Sequence, residues 1–317
     1  MSADSGGALA TAERLAAALA AASEGSVRAV LLYGSHLLGA TPGRESALDF
    51  VVVVSGYRAF YEALHRAGES HRPVWLMAGL SRVLPPNVIA YTPDEGAAGL
   101  AKCLVVTREH LLDAVGPRPR DHFLLGRLVQ RMALVWSASE EERGWAEARL
   151  VEARAGVLAW VGPFLDEPFD AESLGRRLLE VCYRGEVRPE ARDRSDVIFE
   201  AQRGHFRERL APVLEAAARE GRLVATGGGY RFATPPGPRA RRRWMGHFRR
   251  SKVRATLRWF KHIATFENWL PYVHRKAERR LGISIELTRL ERRWPVIFLW
   301  PRAIRLLLRR PDREGNP

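Results

Sequence analysis

The chain has 317 residues, of which 46% are hydrophobic, and this composition is ordinary for a globular protein with one large domain or two smaller ones. No apolar run is long enough to cross a bilayer, and no basic segment precedes an apolar one at the N-terminus, so neither a spanning helix nor a signal peptide is predicted. The two cysteines, Cys103 and Cys182, are too few for a disulfide framework. We therefore expect both to lie in the core of a protein from the cytoplasm.

The net charge of +14 is distributed unevenly along the chain. Residues 238–317 contain 22 Lys and Arg against 6 Asp and Glu, a net charge of +16, whereas residues 1–237 contain 28 against 30, a net charge of −2. The last quarter of the chain therefore carries the whole basic excess, which indicates an anionic partner for that segment.

The first hundred residues have the pattern of a sheet packed with helices. Alanine-rich residues 8–22 predict a helix, and residues 29–33 predict a strand that enters a turn at Gly34–Ser35. Residues 49–54 (DFVVVV) do not alternate and are mostly β-branched, which favours a strand buried on both faces. Similar patterns predict a helix over 56–67, strands over 87–91 and 102–106, and a short helix that Thr107 caps and that ends near Gly116.

The middle of the chain is predicted to be helical. Apolar residues recur at helical spacing over 121–136, 140–161, 171–183 and 195–220, without a convincing strand. Residues 221–232 then predict a β-hairpin around a triple glycine, and the Thr-Pro-Pro-Gly-Pro segment of residues 234–238 predicts a linker. The expected fold class is α+β: a mixed-sheet domain over 1–118, a helical domain with a terminal hairpin over 119–233, and a basic helical tail over 234–317.

A Gly-Ser turn followed by an acidic strand is the candidate reactive site. Gly34 allows backbone amides to approach a triphosphate, and the hydroxyl of Ser35 adds a donor. Asp49, 14 residues after Ser35, opens the next strand and provides a carboxylate for Mg²⁺. This is the outline of the nucleotidyltransferase superfamily, although the usual pattern has two acids and Ala47 occupies the first position.

The sequence is similar to one family with a single acid. Tyr33-Gly34-Ser35-His36 followed by Ala47-Leu48-Asp49-Phe50 resembles the mitochondrial-type phosphatidate cytidylyltransferases, which have YGSG followed by MLDF or MLDL. Further similar motifs follow in the same order over residues 28–210: His71 of a partial HYS motif, Lys102-Cys103-Leu104-Val105, Gly126-Arg127-Leu128, Tyr183 with Gly185, Glu186 and Arg188, and His205-Phe206-Arg207-Glu208. A Glu-Asp-Lys motif of the family has no lysine here, where Asp193 and Asp196 stand.

This resemblance implies the transfer of CMP from CTP to phosphatidic acid, with Mg²⁺ as the metal. It implies that Asp49 binds the metal, that Tyr33, Gly34 and Ser35 hold the nucleotide, and that Lys102 neutralises phosphate charge. Four further residues are candidates: His71, Arg127 and Arg188 for the nucleotide, and Glu186 as the second metal ligand. Asp193, Asp196 and Glu45 are the next candidates for that ligand, and either arginine could instead form an ion pair on a helix surface.

The basic tail fits two partners. Its arginines interleave with tryptophan and phenylalanine, a combination that suits nucleic acid and also an anionic membrane surface. A lipid substrate favours the membrane, so we expect a cytoplasmic enzyme that is peripheral on the membrane, with residues 294–310 as an interfacial anchor. Two alternatives stay open: a nucleotidyltransferase that acts on RNA ends or a soluble phosphate ester, and a catalytically inactive binding protein, which Ala47 suggests.

Overall fold

The computed structural model describes residues 3–38, 47–93, 99–184 and 194–265. Its strands are β1 (Val27–Tyr33), β2 (Leu48–Val54), β3 (Asn87–Tyr91), β4 (Ala101–Thr107), β5 (Met132–Ser137), β6 (Leu223–Thr226) and β7 (Gly229–Phe232). Its α-helices are α1 (Ala3–Ala22), α2 (Tyr57–Arg66), α3 (Val74–Val83), α4 (Arg108–Val115), α5 (Leu125–Leu128), α6 (Glu140–Ala155), α7 (Val157–Val161), α8 (Ala171–Arg184), α9 (Arg194–Arg219) and α10 (Pro238–Thr265). Two single turns of 3₁₀ helix are formed by Ser35–Leu37 and Gly162–Phe164.

Five strands form a mixed sheet in the order β3-β4-β2-β1-β5. Strands β2 and β4 are parallel and the other three pairs are antiparallel. The valine run of β2 is central, and Phe50 to Val54 are fully buried, as expected for a strand that is covered on both faces. The α+β class is therefore confirmed.

Strand β5 corrects the prediction of a helix over 121–136. Only the four residues of α5 are α-helical there, and Met132–Ser137 pair with β1 at the edge of the sheet. Nearly every position of this strand is apolar, in the order Met-Ala-Leu-Val-Trp-Ser. Such a continuous apolar run fits a helix as well as a strand. The helix α3 was not predicted, and the predicted helix over 140–161 is divided at Gly156.

The two faces of the sheet are covered by different helices. Alternate side chains of β2, namely Phe50, Val52 and Val54, pack with α1 and the buried residues of α2 and α3. The opposite side chains of the same strand, Val51 and Val53, face the side on which α4 and α6 contact the sheet. Asp49 belongs to this second face.

Other predicted elements are confirmed. Thr107 caps α4 by accepting a hydrogen bond from the backbone of His110, and the predicted hairpin is formed by β6 and β7. Cys103 and Cys182 are both buried, as expected. Helices α8 and α9 pack together and belong to the predicted helical region.

Helix α10 packs on the sheet domain although the sequence assigned it to the tail. Lys261 donates to the carbonyl oxygens of Leu84 and Pro86. The hydroxyl of Thr265 donates to the carbonyl oxygen of Val88 at the start of β3. The described residues up to Thr265 accordingly belong to one compact unit. The three domain boundaries stay a prediction, and the interfacial anchor over 294–310 lies outside the described residues.

Candidate active site

Three polar side chains form a row across the end of the sheet. Tyr33 of β1 pairs directly with Asp49 of β2, and Asp49 pairs directly with Lys102 of β4. Directly paired residues point to the same face of a sheet, so the three side chains are neighbours on the face opposite α1. The row lies where β1 ends and β2 and β4 begin.

The turn after β1 brings the backbone onto Asp49. Gly34 has φ 89° and ψ −160°, a backbone conformation that residues other than glycine rarely adopt. It leads into the single 3₁₀ turn that begins at Ser35. A Cβ atom on Gly34 would lie 3.0 Å from Oδ2 of Asp49. Glycine is therefore required twice, once for the backbone conformation and once for the approach to the carboxylate.

Asp49 and Lys102 form a loose, half-exposed ion pair. The Nζ atom of Lys102 lies 3.9 Å from Oδ1 of Asp49, and the two side chains keep 36% and 29% of their exposure. At this distance the lysine offsets the carboxylate charge without a tight hydrogen bond, and both groups stay accessible to a ligand. Such a pair can separate to place the carboxylate on a cation and the ammonium on a phosphate.

Asp49 is the carboxylate of this site that could bind a metal ion. Among the described residues no three His, Cys, Asp or Glu side chains are grouped to hold a metal ion. Mg²⁺ in nucleotide enzymes is commonly held by one or two carboxylates together with substrate phosphates and water, and the accessible carboxylate of Asp49 fits that donor set. Glu186, Asp193 and Glu45 lie outside the described residues, whereas Asp196 is exposed and pairs with Arg176.

Arg127 lies over the row of polar side chains. Its guanidinium carbon is 3.9 Å from the ring centre of Phe123 and 5.9 Å from that of Tyr33, and its Nη1 donates to the carbonyl oxygen of Phe123. Stacking on an aromatic ring fixes the plane of the guanidinium group, which donates hydrogen bonds from its edges. The structure therefore places Arg127 beside Tyr33, at the β1 end of the row, and its contact with a nucleotide stays a prediction.

Helix α10 adds two residues that the sequence analysis did not select. Arg258 is 1% exposed, lies 4.8 Å from the ring centre of Phe123, and donates to Asp121 and to the carbonyl oxygen of Pro85. His262 follows one turn later, and its partly buried ring is close enough to Lys102 and Arg127 to respond to their charges. Burial and the nearby cations Lys261, Lys102, Arg258 and Arg127 lower the pKa of His262 to about 3.

The signal for these two residues was hidden by composition. Arg258 and His262 stand in a segment with ten Lys and Arg and no acid. In such a segment the sequence does not distinguish the arginines that are buried from those that are exposed. Only their spacing with Ser251 and Ala255, which are also buried, marks the inner face of the helix.

The remaining predicted site residues have different outcomes. Ser35 is half-buried and follows Gly34 next to the row. His71 is exposed between α2 and α3. Arg188, like Glu186, lies outside the described residues.

Two cavities in the described part of the chain lie away from Asp49. One of about 250 Å³ lies between α8 and α9, and one of about 210 Å³ lies beside the end of α1 and the start of α2. Their charged linings are already paired, Arg177 with Glu180 in the first and Arg66 with Glu24 in the second. We place the candidate site at Asp49 because a positive-φ glycine, a carboxylate and several cations converge there, and concavity alone carries no chemistry.

Comparison of the chain with protein-family models and with curated proteins gives no match. The site is therefore interpreted from its own residues.

Proposed function

We propose that the protein is a nucleotidyltransferase that transfers CMP from CTP to phosphatidic acid, giving CDP-diacylglycerol and pyrophosphate. The observation that carries the proposal is the convergence of Gly34, Asp49 and Lys102 at one end of a mixed sheet. The choice of CTP and phosphatidic acid rests on the ordered sequence motifs that resemble the phosphatidate cytidylyltransferases.

The proposed reaction is an in-line displacement. A phosphate oxygen of the acceptor attacks the α-phosphorus of CTP, a new P–O bond forms, and the bond to the oxygen between the α- and β-phosphorus breaks with its electron pair leaving on pyrophosphate. The attacking phosphate is already an anion and needs no strong general base. The chain's task is to position the two substrates and to stabilise charge.

Each residue of the row has a role in this reaction. The turn at Gly34 and Ser35 holds the β- and γ-phosphates, and Lys102 neutralises the negative charge that develops at the phosphates during transfer. Asp49 holds Mg²⁺, which when bound supplies Lewis-acid stabilisation of the phosphate oxygens. Tyr33 and Arg127 form the wall on the β1 side, where the guanidinium contacts the nucleotide.

The surface of α10 supports a membrane-bound substrate. Val253, Leu257 and Phe260 follow one another at helical spacing and are 61%, 52% and 53% exposed. The same helix has ten Lys and Arg and no acid. An exposed apolar stripe flanked by basic residues is typical of a helix that lies on an anionic membrane. Among the described helices, none is both long and apolar enough to span a membrane.

The proposed location is therefore the cytoplasmic face of a membrane, to which the protein binds peripherally. Two other functions have an observation in their favour. The basic surface of α10 also suits the phosphate backbone of RNA, whose 3′ ends are acceptors for other nucleotidyltransferases. Ala47, in place of a second acid, favours a protein that binds nucleotide or lipid without turnover.

One assay separates the three functions. The full chain is incubated with each of four α-labelled nucleoside triphosphates and Mg²⁺, with phosphatidic acid liposomes, with RNA, or with neither. Labelled CDP-diacylglycerol formed only from CTP and phosphatidic acid supports the proposal. Label in RNA favours the first alternative, and nucleotide binding without product favours the second.

Liposome sedimentation tests the membrane surface on the same protein. Leu257→Glu and Phe260→Glu place charge on the exposed stripe and should release the protein from phosphatidic acid liposomes. Val224→Glu is the matched control because Val224 is 55% exposed on β6 of the hairpin and does not belong to α10. Equal release by all three substitutions, or by none, would contradict a role for the stripe.

A further inference from the structure

The contact between α10 and the sheet is made by charged groups that are only partly satisfied. Arg258 is 1% exposed and donates from Nε and Nη2, but its Nη1 has no hydrogen-bond partner among the described residues. The buried Nε2 atom of His262 likewise has none there. A buried polar atom without a partner is unfavourable, and a bound group with several oxygens would satisfy both of these nitrogens.

The charges at this contact are unbalanced. Arg254 and Arg258 share the carboxylate of Asp121, whereas Lys261 donates to the carbonyl oxygens of Leu84 and Pro86. Burying cations without counter-charges is unfavourable, and a bound anion would offset that cost.

The geometry favours a tetrahedral, multiply charged anion. Arg127 and Arg258 both lie against the ring of Phe123, with guanidinium carbons 3.9 Å and 4.8 Å from its centre. The guanidinium of Arg258, the ammonium of Lys102 and the imidazole of His262 can each donate to a different oxygen of one phosphate group.

The position of the cluster assigns it to the second substrate. In the sheet, Gly34 follows β1 on one side of Asp49, whereas Lys102 on β4 and α10 along β3 lie on the other side. In-line displacement requires the attacking and leaving groups on opposite sides of the α-phosphorus. If the glycine turn holds the leaving pyrophosphate, the acceptor approaches from the side of α10.

We propose that Arg258 and His262 of α10, with Lys102 of β4, form a binding site for the phosphate monoester of the acceptor. This proposal rests on the proposed function for the identity of the acceptor, but the phosphate site itself does not require turnover. It makes α10 part of the active site as well as part of the membrane-facing surface. The same helix would then present the lipid surface with its outer face and hold the lipid phosphate with its inner face.

The test uses the full chain and two soluble probes. Binding of dihexanoyl phosphatidic acid and of CTP is measured separately by calorimetry, without the other substrate. His262→Leu removes the imidazole N–H donor and should weaken binding of the phosphatidic acid at least tenfold, while CTP binding stays within twofold. His262→Gln retains a side-chain donor and should recover most of the affinity. Lys252→Met, at an exposed position of the same helix, is the control and should have no effect.

A second variant guards against loss of the helix contact. Lys102→Met lies on β4, outside α10, and should weaken binding of the phosphatidic acid tenfold while circular dichroism and the unfolding midpoint stay unchanged. The proposal is overturned if wild-type protein binds no phosphatidic acid, if His262→Leu and Lys102→Met bind it like wild type, or if His262→Leu weakens CTP binding instead. A protein that binds the phosphatidic acid through these residues but makes no CDP-diacylglycerol would contradict the proposed function and support this site.

Discussion

The coverings of the sheet differ in kind between α1–α3 and α10. On one side, Leu15 and Leu19 of α1 and Phe60 of α2 pack fully buried on the alternate side chains of β2. Against the edge strand β3, α10 packs through Arg258 and Lys261, whose charged groups bond to backbone carbonyls and to Asp121. The first contact removes apolar surface from water, and the second removes charge from water.

The two kinds of contact differ in what they contribute to the stability of the fold. Apolar burial of a large side chain contributes roughly 1.5 to 3 kcal/mol, whereas a buried ion pair is often no more stabilising than apolar residues of the same volume. A helix that only had to cover the edge of a sheet would need no buried arginine. The charged contact therefore fits the phosphate site that we propose on α10.

Asp49→Ala is expected to have the largest effect on activity, because it changes the polar row and leaves the apolar face of the sheet intact. We expect nucleotidyl transfer to fall by at least about 1,000-fold, because the proposed metal ligand is lost, while the unfolding midpoint stays near that of wild type. Phe50→Leu is the matched control one residue away on the other face. It should lower stability and leave turnover per folded molecule nearly unchanged. Activity of Asp49→Ala within tenfold of wild type would contradict the metal assignment.

Asp121→Asn tests the charged contact directly. Asp121 is buried and accepts hydrogen bonds from Arg254 and Arg258, at 2.8 Å and 2.5 Å, so its loss leaves two arginines without a counter-charge. We expect the free energy of unfolding to fall by about 3 kcal/mol in chemical denaturation. The control is Glu172→Gln, since Glu172 pairs with exposed Arg207 and should cost less than about 1 kcal/mol. Equal costs for the two would mean that α10 is not held by its charges.

The sequence predicted the apolar half of this molecule better than the charged half. The DFVVVV run specified β2, and the glycine turn before it specified the row with Asp49, because both depend on local letters. Strand β5 was missed because pairing with β1 is a long-range choice that its apolar run does not decide. The contact of Arg258 with the carbonyl oxygen of Pro85 joins residues 173 positions apart, and no local pattern distinguishes that arginine from its exposed neighbours.

Gly34→Ala tests the close approach of the turn after β1 to the carboxylate of Asp49. Its Cβ would lie 3.0 Å from Oδ2 of Asp49, and its φ of 89° is unfavourable for alanine, so the carboxylate must move. We expect roughly a 30-fold loss of turnover and a stability cost of about 1 kcal/mol. Gly68→Ala separates the two causes, because Gly68 has φ 76° but open space around its Cβ position. It should share the stability cost and retain full activity. If both substitutions reduce turnover equally, backbone strain rather than the approach to Asp49 explains the effect.

The pH dependence of stability should distinguish the charged contact of α10 from the apolar contacts of α1–α3, although the expected change is small. Burial lowers the pKa of Lys261 to about 7, with Arg258 and Arg254 acting in the same direction and Asp121 opposing them, whereas the unfolded value is 10.5. Between these values the unfolded chain binds more protons than the folded one, so stability should rise with pH. From about pH 7 to about pH 8.5 we expect a gain on the order of 1 kcal/mol in the free energy of unfolding.

Lys261→Met should remove this rise, because methionine does not titrate, even though the carbonyl oxygens of Leu84 and Pro86 lose their donor and the protein is less stable throughout. Lys252→Met, at an exposed position of α10, should retain the rise. The slope of stability against pH is therefore the measurement that matters, and the absolute values only report the lost hydrogen bonds. A flat profile in the wild type would mean that Lys261 stays protonated and that its two carbonyl acceptors outweigh burial. A slope that persists in Lys261→Met would assign the titration to another group and leave the α10 contact as independent of pH as the apolar face under α1.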